Sequence, residues 1–445
     1  MIVLIKALQV ILALSILILI HEFGHFFFAK LFGIRVDKFF LFFDAGDVKL
    51  FSTKSAWFIK LFPKAAEWET EYGIGWLPLG GYCKIAGMVD ESMDTEYLKQ
   101  EPQPWEFRTK PAWQRLLVMF GGVLFNFILA IIVYSGILYK WGESYIRNEG
   151  NEIYVNELAY EMGFRNGDQI LLFDDYKPED FHMLQADLVR QTAKRATVLR
   201  DGDTLNIYID QKMIGEVLKS PGMFDLAYPF VISDLSETSV NRGSDIKAGD
   251  RIIGINDTKV KYIQDARMLL KDSAGQEISV CMVRESDTLC MSMQVDSTGA
   301  LGVFLQTPEV TMRRYGLLAS VPAGCSKAWN TIDGYLKDLK LVFTPSTEAY
   351  KSVGSFIAIG QIFPSTWNWH SFFNILALLS IMLGVMNLLP IPALDGGHMV
   401  FTIYEMITGK KPSDKFLYIT QIIGMILVFG LMFLAFGNDI ARIIR

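Results

Sequence analysis

The stretch ILILIHEFGHFFFAKLFG, residues 16–33, decides how this chain folds, because it combines the apolar run of a membrane-spanning helix with side chains typical of a reactive site. It begins as an unbroken apolar run and then places His21, Glu22 and His25 in the same segment. Each strongly polar side chain costs about 3 kcal/mol or more at the centre of a bilayer. A segment that only anchors the chain does not need such residues, so the pattern indicates chemistry at membrane depth.

The composition lies between that of a soluble enzyme and that of a bundle of membrane spans. Of the 445 residues, 51% are hydrophobic and 20% are charged, and the mean hydropathy is +0.27. This balance predicts a few membrane helices that carry soluble modules. The net charge of −6 gives no electrostatic basis for binding nucleic acid. The 4 cysteines form no Cys-x-x-Cys pair, which argues against a cysteine-ligated zinc ribbon.

Four segments approach the roughly 20 residues that a helix needs to cross a bilayer. They lie at about residues 7–33, 113–139, 371–394 and 416–437. The first has the charged start and apolar core of a secretory signal, but it lacks a small-residue cleavage site and runs into the polar triad, so we expect a retained helix. The predicted fold is a polytopic α-helical membrane protein with about four transmembrane helices.

Lysine and arginine residues set the expected orientation of these spans. The segment between the first two spans and the segment between the last two both carry Lys and Arg, which predicts that both face the cytoplasm. Residues 141–369 and both chain ends are then expected on the outer side. Arg442 and Arg445 weaken this prediction without reversing it.

The long outer region contains a duplicated pattern. Residues 159–175 and 241–260 each lead from a small or polar turn through Gly-Asp, at positions 167–168 and 249–250, into an apolar strand. The pattern resembles PDZ domains, which bind extended peptides by adding a strand to a sheet edge. It predicts two PDZ-like α+β domains, residues 141–222 and 223–310. Two β-modules that act only as spacers are the alternative.

A hairpin is predicted over residues 278–295, ISVCMVRESDTLCMSMQV. With its turn at Glu285-Ser286, Cys281 and Cys290 face each other across the ladder. A disulfide there would suit an oxidising compartment, and two buried thiols are the alternative.

His21 and His25 are four residues apart, so on a helix both imidazoles point to one side. That spacing suits two ligands of one tetrahedral zinc ion, with Glu22 beside them as general base. A third ligand is expected from NLLPIPALDGGH, residues 387–398, where two prolines stop a helix and Asp395 follows. His398 is interpreted as structural because three ligands are already present. The alternatives are histidines held by neighbouring carbonyls and an ordinary helix-stop turn at Asp395.

The combination of HExxH in the first span with N-x-x-P-x-P-x-L-D-G in a later one resembles the site-2 protease family of intramembrane zinc metalloproteases. The two PDZ-like modules make it similar to the bacterial regulator-of-sigma-E type. The resemblance implies one Zn²⁺ held by His21, His25 and Asp395, with Glu22 as the base. It also implies that Asn387 contacts the substrate backbone or polarises its carbonyl. A membrane-associated β-hairpin loop, residues 76–87, and Asn126 would hold an extended substrate; the loop residues concerned are Gly80, Gly81 and Tyr82.

The same resemblance implies a biological setting. It implies regulated intramembrane proteolysis of single-span membrane substrates, either an anti-sigma factor of the sigma-E stress response or remnant signal peptides. The partners would be these substrates, the lipid bilayer and peptide ligands of the PDZ domains, with no nucleic acid. The location would be the bacterial inner membrane, with the site near the cytoplasmic side and the PDZ domains in the periplasm. One departure is residues 353–361, where the family often has Gly-Pro.

The expected organisation is an N-terminal membrane part, residues 1–140, with the cytoplasmic β-loop region at 34–111. An amphipathic or interfacial linker spans residues 311–370, and its stretch 315–343 is expected to lie on the outer membrane surface or to pack on the second module. The C-terminal membrane part is residues 371–445. The rival functions are a membrane-anchored PDZ scaffold with a structural or vestigial metal site and a metal transporter. Retention of Glu22 disfavours the scaffold, and clustering of the polar residues at one depth disfavours the transporter.

Overall fold

The computed structural model describes residues 2–78, 80–88, 101–220 and 222–444. The helices are α1 (Ile2–Leu31), α2 (Ala56–Leu61), α3 (Ala112–Lys140), α4 (Glu157–Glu161), α5 (Leu184–Arg190), α6 (Ile214–Lys219), α7 (Ile263–Asp272), α8 (Leu317–Val342), α9 (Phe356–Ile362), α10 (Trp369–Asn387), α11 (Asp395–Thr408) and α12 (Asp414–Ile444). The strands are β1 (Val36–Leu41), β2 (Lys49–Ser52), β3 (Glu71–Gly75), β4 (Tyr82–Ile85), β5 (Glu143–Tyr145), β6 (Ile153–Val155), β7 (Gln169–Phe173), β8 (Arg195–Arg200), β9 (Asp203–Tyr208), β10 (Phe224–Leu226), β11 (Ile232–Leu235), β12 (Arg251–Ile255), β13 (Thr258–Lys259), β14 (Glu277–Arg284), β15 (Asp287–Gln294), β16 (Val303–Leu305) and β17 (Thr311–Arg313).

The prediction of about four membrane spans is confirmed. Within the described residues, α1, α3, α10 and Lys415–Ala441 of α12 are long and apolar enough to cross a bilayer. The third span differs in extent, because α10 ends at Asn387 rather than near residue 394. Pro390 and Pro392 follow at once, and proline cannot continue the hydrogen-bond ladder of a helix. The segment between the last two spans contains a further helix, α11.

The chain divides into two compact units. The first consists of Met1–Gly142, Arg314–Phe343 and Tyr350–Arg445, and the second of Glu143–Arg313 and Thr344–Ala349.

In the first unit, α3 is the helix against which the others pack. A Cβ built on Gly24 of α1 would overlap the Gly121 carbonyl oxygen, so α1 and α3 meet backbone to backbone. On α10, the Ser380 hydroxyl donates to the Asn126 carbonyl at 2.7 Å. Small residues at such crossings permit the close packing on which helix association in membranes depends.

The amphipathic stretch at residues 315–343 forms α8. Ala328 on this helix is 3% exposed and packs in one cluster with Ala130 and Tyr134 of α3 and Ala377 of α10. The region expected as an interfacial linker therefore contributes a helix packed on two of the spans.

A four-stranded mixed sheet follows α1, in the order β2-β3-β1-β4. Within the described residues 76–78 and 80–87, the segment of the predicted β-hairpin loop contributes one strand, β4, which pairs with β1. As a result β4 lies at the sheet edge. Ile34, Val36 and Ile85 pack with Ala29 of α1 and Val118 of α3, which holds this sheet against the end of α1.

The second unit contains two modules with the same local construction. In each module the aspartate of the predicted Gly-Asp pair is fully buried. Arg200 of β8 donates to Asp168 at 2.6 Å, and Arg284 of β14 donates to Asp250 at 2.7 Å. The glycine before each aspartate has a left-handed φ, 94° and 93°, which glycine adopts without strain. The duplicated sequence pattern thus corresponds to a duplicated structure.

Strand pairing also links distant segments of the second unit. β10 pairs with β6, which joins residues 224–226 to residues 153–155. β17 pairs with β5, which joins the first and last strands of the unit. The predicted hairpin in the second module is present as β14 and β15, with Cys281 opposite Cys290, and the two sulfurs form a disulfide.

Candidate metal centre and active site

Two imidazoles converge on one point beside α1. His21 and His25 lie one helical turn apart, and both are buried. Their Nε2 atoms are 3.3 Å from each other. The four-residue spacing in a helix therefore does place both rings on one face, as predicted.

Asp395 reaches the same point from the other end of the chain. After α10 ends, the chain turns through residues 388–394 and Asp395 opens α11. Ala393 takes a φ of 104°, a region that costs a non-glycine residue about 1–3 kcal/mol. A Cβ on Gly396 or Gly397 would overlap a loop carbonyl oxygen, so this turn requires glycine at both positions.

The donor atoms of the three side chains fit a metal ion. They all lie within 4.8 Å of one another. Asp395 Oδ2 is 3.3 Å from His21 Nε2 and 3.4 Å from His25 Nε2. Within the described residues this buried oxygen accepts no hydrogen bond of standard geometry. Two imidazole nitrogens facing a buried carboxylate oxygen are stabilised by a cation between them, and two His with one carboxylate is a donor set of catalytic zinc.

The second nitrogen of each imidazole also has a partner. His25 Nδ1 donates to the Val118 carbonyl at 2.9 Å. The Asn126 side-chain amide lies 3.1 Å from His21 Nδ1, within hydrogen-bonding distance. When Nδ1 carries the proton, the amide turns its oxygen to accept it. Both contacts leave the Nε2 lone pairs for the metal, and such partners normally orient histidine ligands.

A glycine on α3 makes room for the rings. A Cβ on Gly122 would lie 2.5 Å from His25 Nε2 and 2.6 Å from His21 Cε1. Sequence reasoning predicted a substrate-holding role for Asn126 and missed the steric role of Gly122.

Glu22 lies next to the metal-binding side chains, in a cavity of about 580 Å³ that His21, His25 and Asp395 also line. The Cys83 backbone N–H donates to its carboxylate. Because Cys83 belongs to the edge strand β4, this contact brings the sheet edge to the metal centre. Sequence reasoning missed Cys83, since a backbone donor leaves no side-chain signal.

Most of the predicted substrate-contacting residues lie near the metal centre or line the cavity, and Gly80 does not. Asn387 comes close to the metal centre, with Nδ2 3.3 Å from His21 Nε2. Gly81 and Tyr82 line the cavity, as does His398. Gly80 does not, and a Cβ on it would meet the ring of Phe43.

Tyr82 is held in place at the edge of the cavity. Its ring stacks between Phe40 and Phe43. Its hydroxyl donates to Asp44 Oδ1 at 2.9 Å. Burial and the Asp44 carboxylate raise the pKa of Tyr82, so this hydroxyl stays protonated and keeps its hydrogen bond.

An ion pair fixes α11, the helix that Asp395 begins. Arg115 of α3 donates to Glu405 at 2.5 Å, and both side chains are largely buried. This pair ties α11 to the helix that carries Gly122 and Asn126. The sequence shows an arginine and a glutamate there but does not indicate that they meet.

Comparison with known proteins agrees with this geometry. The profile of Peptidase family M50 matches residues 9–431. Regulator of sigma-E protease RseP from Salmonella typhimurium and the protein of the same name from Escherichia coli are each 26% identical over 459 residues, which covers 97% of this chain and 98% of the relative. A Vibrio cholerae protein provisionally named a zinc metalloprotease is 25% identical over 464 residues, with the same coverage.

Fold and site together define a membrane-embedded metallopeptidase. The chain belongs to Peptidase family M50.

Proposed function

We propose that this protein is an intramembrane zinc protease that cuts single-span membrane proteins within or beside the bilayer. The observation that carries the proposal is the convergence of His21, His25 and Asp395 on one point next to Glu22, on and beside a helix long and apolar enough to cross a membrane.

His21, His25 and Asp395 would hold one zinc ion. When bound there, zinc would supply an activated water and a polarised peptide carbonyl. Glu22 removes the proton from the attacking water and later gives it to the leaving amine. The Cys83 N–H fixes the direction of the Glu22 carboxylate during both transfers. Asn126 keeps the His21 ring oriented.

Asn387 is positioned to act on the substrate carbonyl. Its amide lies beside the metal-binding nitrogen of His21. Donation of a hydrogen bond to the developing oxyanion is the role that this position supports.

The substrate must be extended where it is cut, because a helix hides its carbonyls in its own hydrogen bonds. β4 is an edge strand of the described sheet and lies beside Glu22, and strand addition to that edge replaces the helical bonds that are lost. Gly81 and Tyr82 would lie along the bound strand, and Gly80 would shape the turn that leads to them.

The relatives named as regulators of sigma E support an anti-sigma factor as substrate, and remnant signal peptides are the other substrate class. The protein is proposed to lie in a bacterial inner membrane, with the metal centre near the cytoplasmic side. The two outer modules, proposed as periplasmic PDZ domains, would then exclude substrates that carry bulky outer domains. Removal of both modules is expected to admit untrimmed substrates, and unchanged selectivity would contradict this filter.

The deciding experiment is cleavage of a tagged, single-span, type II membrane substrate by the purified protein in detergent. Wild type is compared with Glu22→Gln, and zinc content is measured for both. We expect equal zinc in both samples and cleavage by wild type alone. Equal zinc with no cleavage of any substrate in a panel would favour a membrane-anchored PDZ scaffold instead.

A further inference from the structure

One polar side chain in the active-site cavity has no part in the chemistry described so far. Gln421 of α12 is 2% exposed and lines the cavity together with His21, Glu22 and Asp395. Within the part of the chain that the structure describes, its amide makes no hydrogen bond with another group. The amide is in contact with the cavity, and a ligand that fills the cavity and excludes water would leave the amide unsatisfied unless the ligand itself supplies a hydrogen-bond partner.

The rest of the same helix face is apolar. The other α12 residues that line the cavity follow at helical spacing: Met425, Val428 and Phe429. Packing alone would be served equally well by a fourth apolar side chain of similar volume. Gln421 is therefore a polar exception on an otherwise hydrophobic wall.

The position of Gln421 relative to the metal centre is fixed by the next turn of α12. A Cβ on Gly424 would overlap the Pro392 carbonyl oxygen, so α12 contacts the loop that leads to Asp395 at this point. Gln421 is three residues earlier, on the same side of the helix. The contact holds its amide beside the turn that carries a metal-binding side chain.

An extended peptide has two hydrogen-bonding edges, and β4 can pair with only one of them. The other edge would face the apolar residues of α12, where unpaired backbone groups are costly because no water replaces the lost bonds. A carboxamide offers both a donor and an acceptor, as one peptide unit requires. It also recognises backbone irrespective of side chains, which suits apolar membrane segments of varied sequence.

We propose that Gln421 is a substrate-binding residue: its side-chain oxygen accepts from a peptide N–H and its NH₂ group donates to a peptide carbonyl of the extended substrate. This inference rests on the proposed function and adds a second contact edge to the one that β4 provides.

The test measures binding, so that it does not depend on catalysis. The probe is a synthetic single-span peptide with a fluorescent label, titrated in detergent against the Glu22→Gln protein. Gln421→Met in that background keeps the side-chain volume and removes both polar atoms. We expect about tenfold weaker binding, the loss that one or two hydrogen bonds produce. Ile423→Met is the matched control, since residue 423 is 58% exposed and points away from the cavity.

A second series separates substrate contact from a structural effect. Each peptide bond of the probe around the cleavage region is replaced in turn by an ester, which removes one N–H. With Gln421 present, one ester position is expected to weaken binding several-fold, and with Gln421→Met that position is expected to have no further effect. Equal affinity of the proteins with and without the Gln421→Met change, or an ester effect that is the same in both, would overturn the proposal. If Gln421→Met does not fold, Gln421→Leu is used for the same comparison.

Cleavage of the unmodified probe by wild type, measured in parallel, tests the proposed function separately. Failure to cleave would count against the protease, whereas the ester series with the Glu22→Gln protein bears on Gln421 alone.

Discussion

Gly122 of α3 lies directly against the His25 ring: a Cβ at position 122 would be 2.5 Å from His25 Nε2, so no side chain larger than hydrogen fits there. This contact makes a helix–helix crossing part of the metal site. It also allows a sharp test, because a single methyl group is enough to disturb it.

Gly122→Ala is expected to remove most of the bound zinc and to abolish cleavage. The methyl group needs the space that the two imidazole rings occupy, so the rings must move or the helices must separate. Zinc per protein chain, measured by mass spectrometry, checks this. Gly136→Ala is the control, because Gly136 lies on the same helix and a Cβ there meets nothing within 4 Å. Full zinc occupancy in Gly122→Ala would show that the rings tolerate the shift.

Asn126→Leu is expected to weaken zinc binding about 10- to 100-fold without unfolding the protein. The change keeps the size of the side chain but leaves His21 Nδ1 without a partner. Competition with a chelator of known affinity measures the effect. Asn374→Leu is the control, since Asn374 is an amide on α10 that bonds only within its own helix. Equal zinc affinity of the two variants would show that Asn126 does not contribute to zinc binding.

Arg284→Met is expected to destabilise the second module by about 3 kcal/mol at neutral pH, since it leaves the buried Asp250 carboxylate unpaired. The hydrogen bonds from Arg284 lower the pKa of Asp250 in the folded protein. The stability that the pair contributes is therefore complete above the unfolded pKa of about 3.9 and is lost as the pH falls through the lower folded value.

The pH dependence should accordingly differ between the two proteins. Thermal unfolding followed from pH 7 to pH 3 should show wild type losing stability at the acid end. Arg284→Met should change less, or even gain, because protonation relieves its unpaired carboxylate. Arg242→Met replaces an exposed arginine of the same module and should follow wild type. Parallel curves for Arg284→Met and wild type would contradict the prediction.

The disulfide between Cys281 and Cys290 is expected to stabilise the second module by roughly 2–3 kcal/mol, the loop-closure value for residues nine positions apart. Replacement of both residues by serine should lower the free energy of unfolding of the module by that amount, which is seen as a lower thermal midpoint. Mass spectrometry of the peptide with and without reductant verifies the bond. Cys325→Ser, at an exposed free cysteine, should leave the midpoint unchanged. A chain that carries two free thiols at these positions when purified under oxidising conditions would contradict the disulfide.

Local rules were enough to predict the parts of the site that lie within one element. Four-residue spacing determines that His21 and His25 share a helix face. Pro390 and Pro392 determine that a helix stops before Asp395. These inferences depend on short-range geometry, which the sequence carries directly.

Features that depend on distant pairing could not be predicted in the same way. Strand register and strand neighbours are set by tertiary contacts, so the pairing of β4 with β1 could not be read from the sequence of the loop. Amphipathicity shows that α8 has an apolar face but does not identify what covers it. The Val118 carbonyl and the Cys83 N–H are backbone groups, present at nearly every residue, and only the fold selects them.

Asn387 and His21 lie beside each other although they are 366 positions apart in the chain. During synthesis, therefore, the first span enters the membrane long before its partners exist. The growing protein passes through insertion with its histidines and glutamate in place but no complete zinc site. Because Asp395 follows α10, the three metal-binding side chains can meet only after the third span has been made. Division of the site between the two ends of the chain therefore makes zinc binding a late step of assembly.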